Sequence, residues 1–247
     1  MTWQEVADAV KETKTILIPI GSTENGGPHL PLSNETEVAL EIARKAGYEL
    51  GSLVAPPIYF GVSEQHIDFP GTTSVKSQTL VNMLLDICGS FQRHGLRNMI
   101  FVNGHSGNTP ALQMAASELR QTKGIVAAVT QWFTMIPGGE IKKIVERVYH
   151  AGEAETSIML AVNKSAVRVD KLVSELPEVK SKFLGFDFYA SGPKAIFPYQ
   201  IKEVTTSGVI GDATKASLVK GEQILELAVK YLVELVRDIE TSKLPGT

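Results

Sequence analysis

The sequence predicts an α/β fold: a mainly parallel sheet covered by helices on both faces. Three observations lead there. Short apolar runs alternate along the chain with segments of helical period. The runs are continuous, as strands buried on both faces require. The polar, glycine-bearing stretches follow the strands, at the carboxyl ends where such sheets bind ligands.

The strands are read at Thr15–Ile20, 53–58, Asn98–Asn103 and 125–130, each bounded by Gly, Pro, Asn or polar residues. A helix over 35–50 separates the first two. Leu80, Leu84, Ile87 and Phe91 then recur at spacings of four, three and four, which lines one face of a second helix. Residues 110–122 behave similarly. After Gly211, Ile224, Ala228, Tyr231, Leu235 and Ile239 form one stripe of a long amphipathic helix. The Pro-, Gly- and Lys-rich stretch 172–199 reads as an excursion. With no repeat, low-complexity tract or linker, residues 1–247 are expected to form a single domain.

The 247 residues are 43% apolar and 21% charged, ordinary for a globular enzyme. A net charge of −3 and a pI of about 6.0 give no electrostatic case for nucleic acid or an anionic membrane as partner. The single Cys88 excludes an internal disulfide and a cysteine-cluster metal site, and fits a reducing compartment. The first residues lack a signal-peptide pattern, and no apolar stretch approaches the ~18 residues of a spanning helix. A cytoplasmic enzyme is expected.

Polar loops follow three strands: 21–35, 61–73 and 104–109. Of the five histidines, His94 sits at a helix end before a glycine and suits a dipole partner there. The other four lie in motif-like loops: His29 in GGPHLPL, His66 in SEQHIDFPGT, His105 in NGHSGN and His150 in HAGEAETS. Asn108 or Thr109 can cap the helix after His105, which explains the cap and leaves the histidine unexplained. Asn34 can likewise cap a helix with Glu37 as its capping-box acid, which does not explain Glu24. Two carboxylates converging with an imidazole repel each other unless a cation or proton lies between them, and such a set suits a first-row divalent metal. Neither the P-loop nor the dinucleotide fingerprint is present.

Five motifs in register resemble the creatininase family of metal-dependent amidohydrolases. PIGSTENGGPHLPL is similar to the family's P-[IVL]-G-S-x-E-x-H-G-P-H-L-P-L, and GVSEQHIDFPGT to its G-x-S-x-x-H-x-x-F-P-G-T. NGHSGN, HAGEAETS and GVIGDATKASLVKG correspond to N-G-H-G-G-N, H-A-G-x-x-E-T-S and a G-x-x-G-D-P-x-x-A-x-x-x-x-G near the end. The resemblance implies a single three-layer α/β/α domain, a homohexamer, and hydrolysis of a cyclic or formyl amide of a small molecule. It carries Glu24, Glu35 and His105 over as ligands of one tightly held zinc, manganese or iron. His150 becomes the acid/base, with Glu153 or Glu155 to orient it or raise its pKa.

His66, Trp132 and Glu153 are expected on the substrate side, with Phe133 beside Trp132 as an apolar wall and packing as the alternative for both aromatics. His66 and His29 also suit fixing loop geometry, and Glu153 suits a replacement ligand. Two departures stand out. Gly26 occupies the place of a metal-binding histidine, so the second metal position loses its imidazole, and Glu35 replaces an aspartate. A degenerate relative that binds a small molecule or serves in assembly is the alternative.

Overall fold

In a computed structural model, which describes residues 1–178, 181–189, 195 and 197–243, four parallel strands form the central sheet. They are β1 (Thr15–Ile20), β2 (Leu53–Val54), β3 (Asn98–Asn103) and β4 (Val126–Gln131), in the order β2-β1-β3-β4. β1 and β3 pair from Thr15 with Asn98 to Ile20 with Asn103, and β3 pairs with β4 up to Gln131, so three strand tips end level.

Because strand side chains alternate between faces, the sheet feeds two cores. Ile16, Ile18, Ile20, Met99 and Phe101 pack with α3 (Ser77–Arg93) and α4 (Thr109–Lys123), through Leu80, Leu84, Leu112 and Leu119. Leu17, Ile100 and Val102 face the other way. They meet α2 (Asn34–Leu50), α7 (Glu153–Asn163) and α9 (Leu218–Glu240) through Val38, Ile42, Ile158, Met159, Ile224 and Leu232. This is the helix–sheet–helix layering expected. α1 (Trp3–Glu12) precedes the sheet; α5 (Trp132–Met135), α6 (Gly138–Ile141) and α8 (Ile201–Val204) are single turns.

Three local features differ from the sequence reading. The strand expected over 53–58 pairs only at Leu53 and Val54, because Pro56 and Pro57 bring no N–H to the ladder. Bonding resumes at Ile58, whose N–H donates to the Pro19 carbonyl at 3.0 Å. Ser33, not Asn34, is the residue before α2; its hydroxyl donates to Glu37 Oε1 at 2.5 Å, and Asn34 and Glu35 lie inside the first turn. The motif around His150 is only partly a loop, since Glu153 opens α7, whose residues from Glu153 to Leu160 are all buried. In the stretch 172–199, β5 (Ser174–Glu175) pairs antiparallel with β6 (Gly211–Asp212); residues 179, 180, 190–194 and 196 of that stretch lie outside the described residues.

Two close approaches set the site. Gly104 follows β3 directly against the Glu35 carbonyl, where any Cβ would overlap it, so the strand tip touches the start of α2. Gly221 does the same for α9 against the Ser157 carbonyl of α7.

Candidate active site

The loops after β1 and β3, the turn at residues 64–66 and the start of α7 converge beyond the strand tips. Glu24, 3% exposed, lies at the centre. Its two oxygens face different partners. Oε2 lies 3.2 Å from His105 Nδ1; Oε1 lies 3.4 Å from His66 Nε2 and 3.9 Å from His150 Nδ1. Neither oxygen has a hydrogen-bond partner of good geometry among the described residues. Glu35 Oε2 lies 2.8 Å from the same His105 Nδ1 and accepts from the Ser22 hydroxyl at 2.5 Å. Glu155 Oε2 accepts from the Ala151 N–H at 2.7 Å and lies 4.0 Å from His150 Nδ1.

Two of the imidazoles are oriented in the same way. His105 Nε2 lies 2.9 Å from the Val62 carbonyl oxygen, and His150 Nε2 lies 3.0 Å from that of Asn25. A carbonyl only accepts, so each Nε2 carries the hydrogen, and each Nδ1 is turned towards the carboxylates. Backbone carbonyls that fix a ring this way are the usual support of a metal-binding histidine.

The charges inside are in conflict. Burial and the Glu24 charge push Glu35 up to about 7. Burial and the Glu35 charge likewise hold Glu155 well above the carboxylate range. Burial opposes ionisation of Glu24 as well, but His105 and His66 outweigh it and hold Glu24 low. His105 is driven up against its own burial by Glu24 and Glu35. Burial lowers His66 to about 3 and lowers His150 too. His105 Nδ1, 3.2 Å from Glu24 and 2.8 Å from Glu35, thus marks the place between two carboxylates where a positive charge is favoured.

A cavity of about 230 Å³ opens on this cluster. Glu24, Glu35, His66, His150 and Glu155 line it, and Phe133, Phe186, Phe188 and Tyr199 add an aromatic wall. Five of the expected polar residues, and Phe133, therefore line one cavity, with His105 beneath it. Two others do not. Trp132 lies in the core against Phe133, ring centroids 5.5 Å apart, and Phe133 alone of that pair reaches the cavity. Glu153 lines a separate surface cavity and pairs with Lys220 Nζ at 2.5 Å; it is not among the residues lining the site cavity, nor, among the described residues, in a group that could hold a metal.

His29 is a fixture, its Nε2 2.8 Å from the Thr156 hydroxyl, and His94 follows the end of α3. Asn108 precedes α4 without a side-chain cap bond. It bridges two site loops instead, accepting from the Val62 N–H at 2.8 Å and donating to the Gly21 carbonyl at 2.9 Å. Sequence reasoning missed Ser22, Phe186, Phe188 and Tyr199; for Ser22, its place in the first motif directly after the strand was the available signal.

Two buried carboxylates around an oriented imidazole, beyond the tips of a parallel sheet, form a site suited to hydrolysis assisted by a divalent cation. A sequence model described as "Creatininase: Creatinine amidohydrolase" matches residues 1–236, and the chain belongs to the creatininase family. It is 32% identical to the mycofactocin precursor peptide peptidase of Mycolicibacterium smegmatis over 90% of this chain and 84% of that protein. It is 29% identical to the 3-dehydro-scyllo-inosose hydrolase of Thermotoga maritima (97% and 82%) and 28% identical to the creatinine amidohydrolase of Pseudomonas putida (96% and 95%).

A crystal structure of creatinine amidohydrolase superposes with a TM-score of 0.80 at 25% identity, covering 100% of this chain and 97% of that one. A manganese creatininase (TM-score 0.79, 26% identity, 96% of each chain) and a zinc–zinc creatininase variant (0.78, 26%, 96% and 95%) are similarly close. The chain is a hydrolase of this family. The residues present fit a divalent ion: Glu24 offers two buried oxygens without hydrogen-bond partners, and Glu24, Glu35 and His105 each bring a donor atom to within 4.8 Å of the others.

Proposed function

We propose that the protein hydrolyses an amide C–N bond of a small cyclic or formyl amide, with one tightly held zinc, manganese or iron ion on Glu24, Glu35 and His105. The observation that carries this is the pair of buried Glu24 oxygens without hydrogen-bond partners, facing imidazoles that backbone carbonyls orient. When bound, the ion supplies polarisation of the substrate carbonyl and acidification of water. The chain's own residues do the rest. The aromatic wall of Phe133, Phe188 and Tyr199 encloses a small substrate and limits water. Water's oxygen adds to the carbonyl carbon, His150 Nδ1 takes up the proton that the water gives up, and the same nitrogen passes it to the leaving nitrogen as the C–N bond breaks. Glu155, beside that nitrogen, orients the ring, and His66 borders the substrate next to Glu24.

The absence of an imidazole at Gly26 favours a second reading, a relative that binds such a molecule without cleaving it. Both readings are of a homohexamer acting in the cytoplasm; among the described residues no helix is long and apolar enough to cross a membrane. The test is elemental analysis with a hydrolysis panel of small lactams, formamides and short peptides. One tight metal per chain, lost in His105→Ala, with turnover of a lactam or formamide is expected. Metal binding with ligand binding but no turnover across the panel selects the second reading. A metal-free protein after purification and titration overturns both.

A further inference from the structure

Glu24 places one oxygen in the ligand set described above and turns the other away from it. That second oxygen, Oε1, has His66 Nε2 at 3.4 Å and His150 Nδ1 at 3.9 Å. The two rings stand 4.5 Å apart between centroids. Bonds of ~2.0–2.2 Å to a zinc-like ion put neighbouring donor atoms ~3–4 Å apart, which is the spacing of Glu24 Oε1 from each of the two ring nitrogens. The three lie within 4.8 Å of one another. Glu24 Oε1 is buried without a hydrogen-bond partner among the described residues, and His150 Nε2 is committed to the Asn25 carbonyl, so its Nδ1 is the atom left to bind.

We infer that Glu24, His66 and His150 form a second, weaker position for a divalent cation, bridged to the first through the Glu24 carboxylate. This rests on the reading that Glu24, Glu35 and His105 hold the tight ion. The position does not depend on residue 26. A Cβ built on Gly26 falls 2.8 Å from Leu30 Cβ, so the loop is closed over that place and an imidazole there requires Leu30 to move. Two histidines from elsewhere in the chain, one in the 64–66 turn and one before α7, supply what residue 26 does not.

The position is weaker because Glu24 already shares its charge with the first ion, and because burial disfavours adding a second double charge. It also has a cost in function. The His150 nitrogen that would take this cation is the one from which a proton reaches the leaving nitrogen, and one lone pair cannot do both. Metal in excess therefore inhibits.

The test titrates metal-stripped full-length protein with cobalt(II), followed by calorimetry and the visible spectrum. Two classes of site are expected, one ion each, at least tenfold apart in affinity. His66→Ala should remove the weak class and keep the tight one, which also shows that the variant is folded; His105→Ala should remove the tight class. Hydrolysis should fall over the metal range that fills the weak class. A single class in the wild type, a weak class that survives His66→Ala, or full hydrolysis with both classes filled overturns the inference. Loss of the tight class from the wild type would instead overturn the proposed function.

Discussion

Glu153 and Glu155 stand two residues apart in the first turn of α7, both buried, and their surroundings are opposite. Two residues of helix turn the chain by about 200°, so one carboxylate leaves the core towards the surface and the other enters the sheet edge. Glu153 finds Lys220 at 2.5 Å and accepts from the Glu146 N–H at 3.3 Å. Glu155 has the Ala151 N–H, a histidine 4.0 Å away and the unfavourable charge of Glu35. For Glu153, a structural carboxylate, the chain supplies its own cation. Around the cavity, among the described residues, no lysine or arginine lines the wall. There, on the reading proposed above, the cation comes from outside, and the conflict among carboxylates favours its binding.

The largest effect expected from breaking this contrast is on catalysis. His150→Ala removes the proton carrier while Glu24, Glu35 and His105 remain. kcat should fall by about 10²–10⁴-fold with the tight metal retained, as steady-state kinetics and elemental analysis would show. Metal lost together with activity would place His150 among the tight ligands instead.

Stability should respond with opposite signs on the two sides. Lys220→Met leaves Glu153 buried at 8% exposure without its cation. Removing one partner of a fully buried pair costs about 3–5 kcal/mol; Lys220 is about one-third exposed and solvent screens the pair, so about 1–2 kcal/mol is expected. Glu35→Gln should do the reverse in the metal-free protein. It removes a charge that burial and Glu24 both oppose, and should raise Tm by about 2–4 °C for each kcal/mol relieved, while abolishing the stabilisation that added metal gives the wild type. Calorimetric scans with and without metal check both variants. A fall in metal-free Tm for Glu35→Gln would show that its bonds to Ser22 and His105 outweigh the repulsion.

The same contrast explains what was legible in the sequence. β1 and β3 were readable to their end residues, because each is buried on both faces and bounded by polar or small residues. The stripe of α9 was readable because one face meets solvent. α7 was not: residues Glu153 to Leu160 are buried all round, so no period marks the helix, and its acids read as loop. Glu24, Glu35, His105 and His150 were recognisable as residue types in motifs. Their orientation was not, since the carbonyls that fix the two rings belong to Val62 and Asn25, 43 and 125 positions away. Trp132 and Phe133 were indistinguishable by sequence, and only the direction in which α5 turns decides which one meets the cavity.

The smallest effect expected concerns a carboxylate satisfied by neither a cation nor a metal. Glu175 accepts from the Thr206 N–H at 2.7 Å and the Ser207 N–H at 2.9 Å, and from both hydroxyls. Burial opposes its charge, but these hydrogen bonds outweigh burial and hold it down at about 2. A carboxyl whose folded pKa lies below its unfolded value of ~4.3 stabilises above ~4.3, and that contribution disappears as pH falls towards 2. The clamp leads on to Gly208, whose carbonyl accepts from Asn25 Nδ2 at 3.0 Å, and the Asn25 carbonyl in turn orients His150. Amide exchange at Thr206 and Ser207, corrected for the intrinsic rate, should therefore lose protection from pH 5 to 3 before the core amides of β3 do. In Glu175→Gln the protection should already be reduced at pH 7 and its pH dependence gone. Protection that tracks β3 throughout would mean that 205–207 is held by the fold around it and not by the carboxylate.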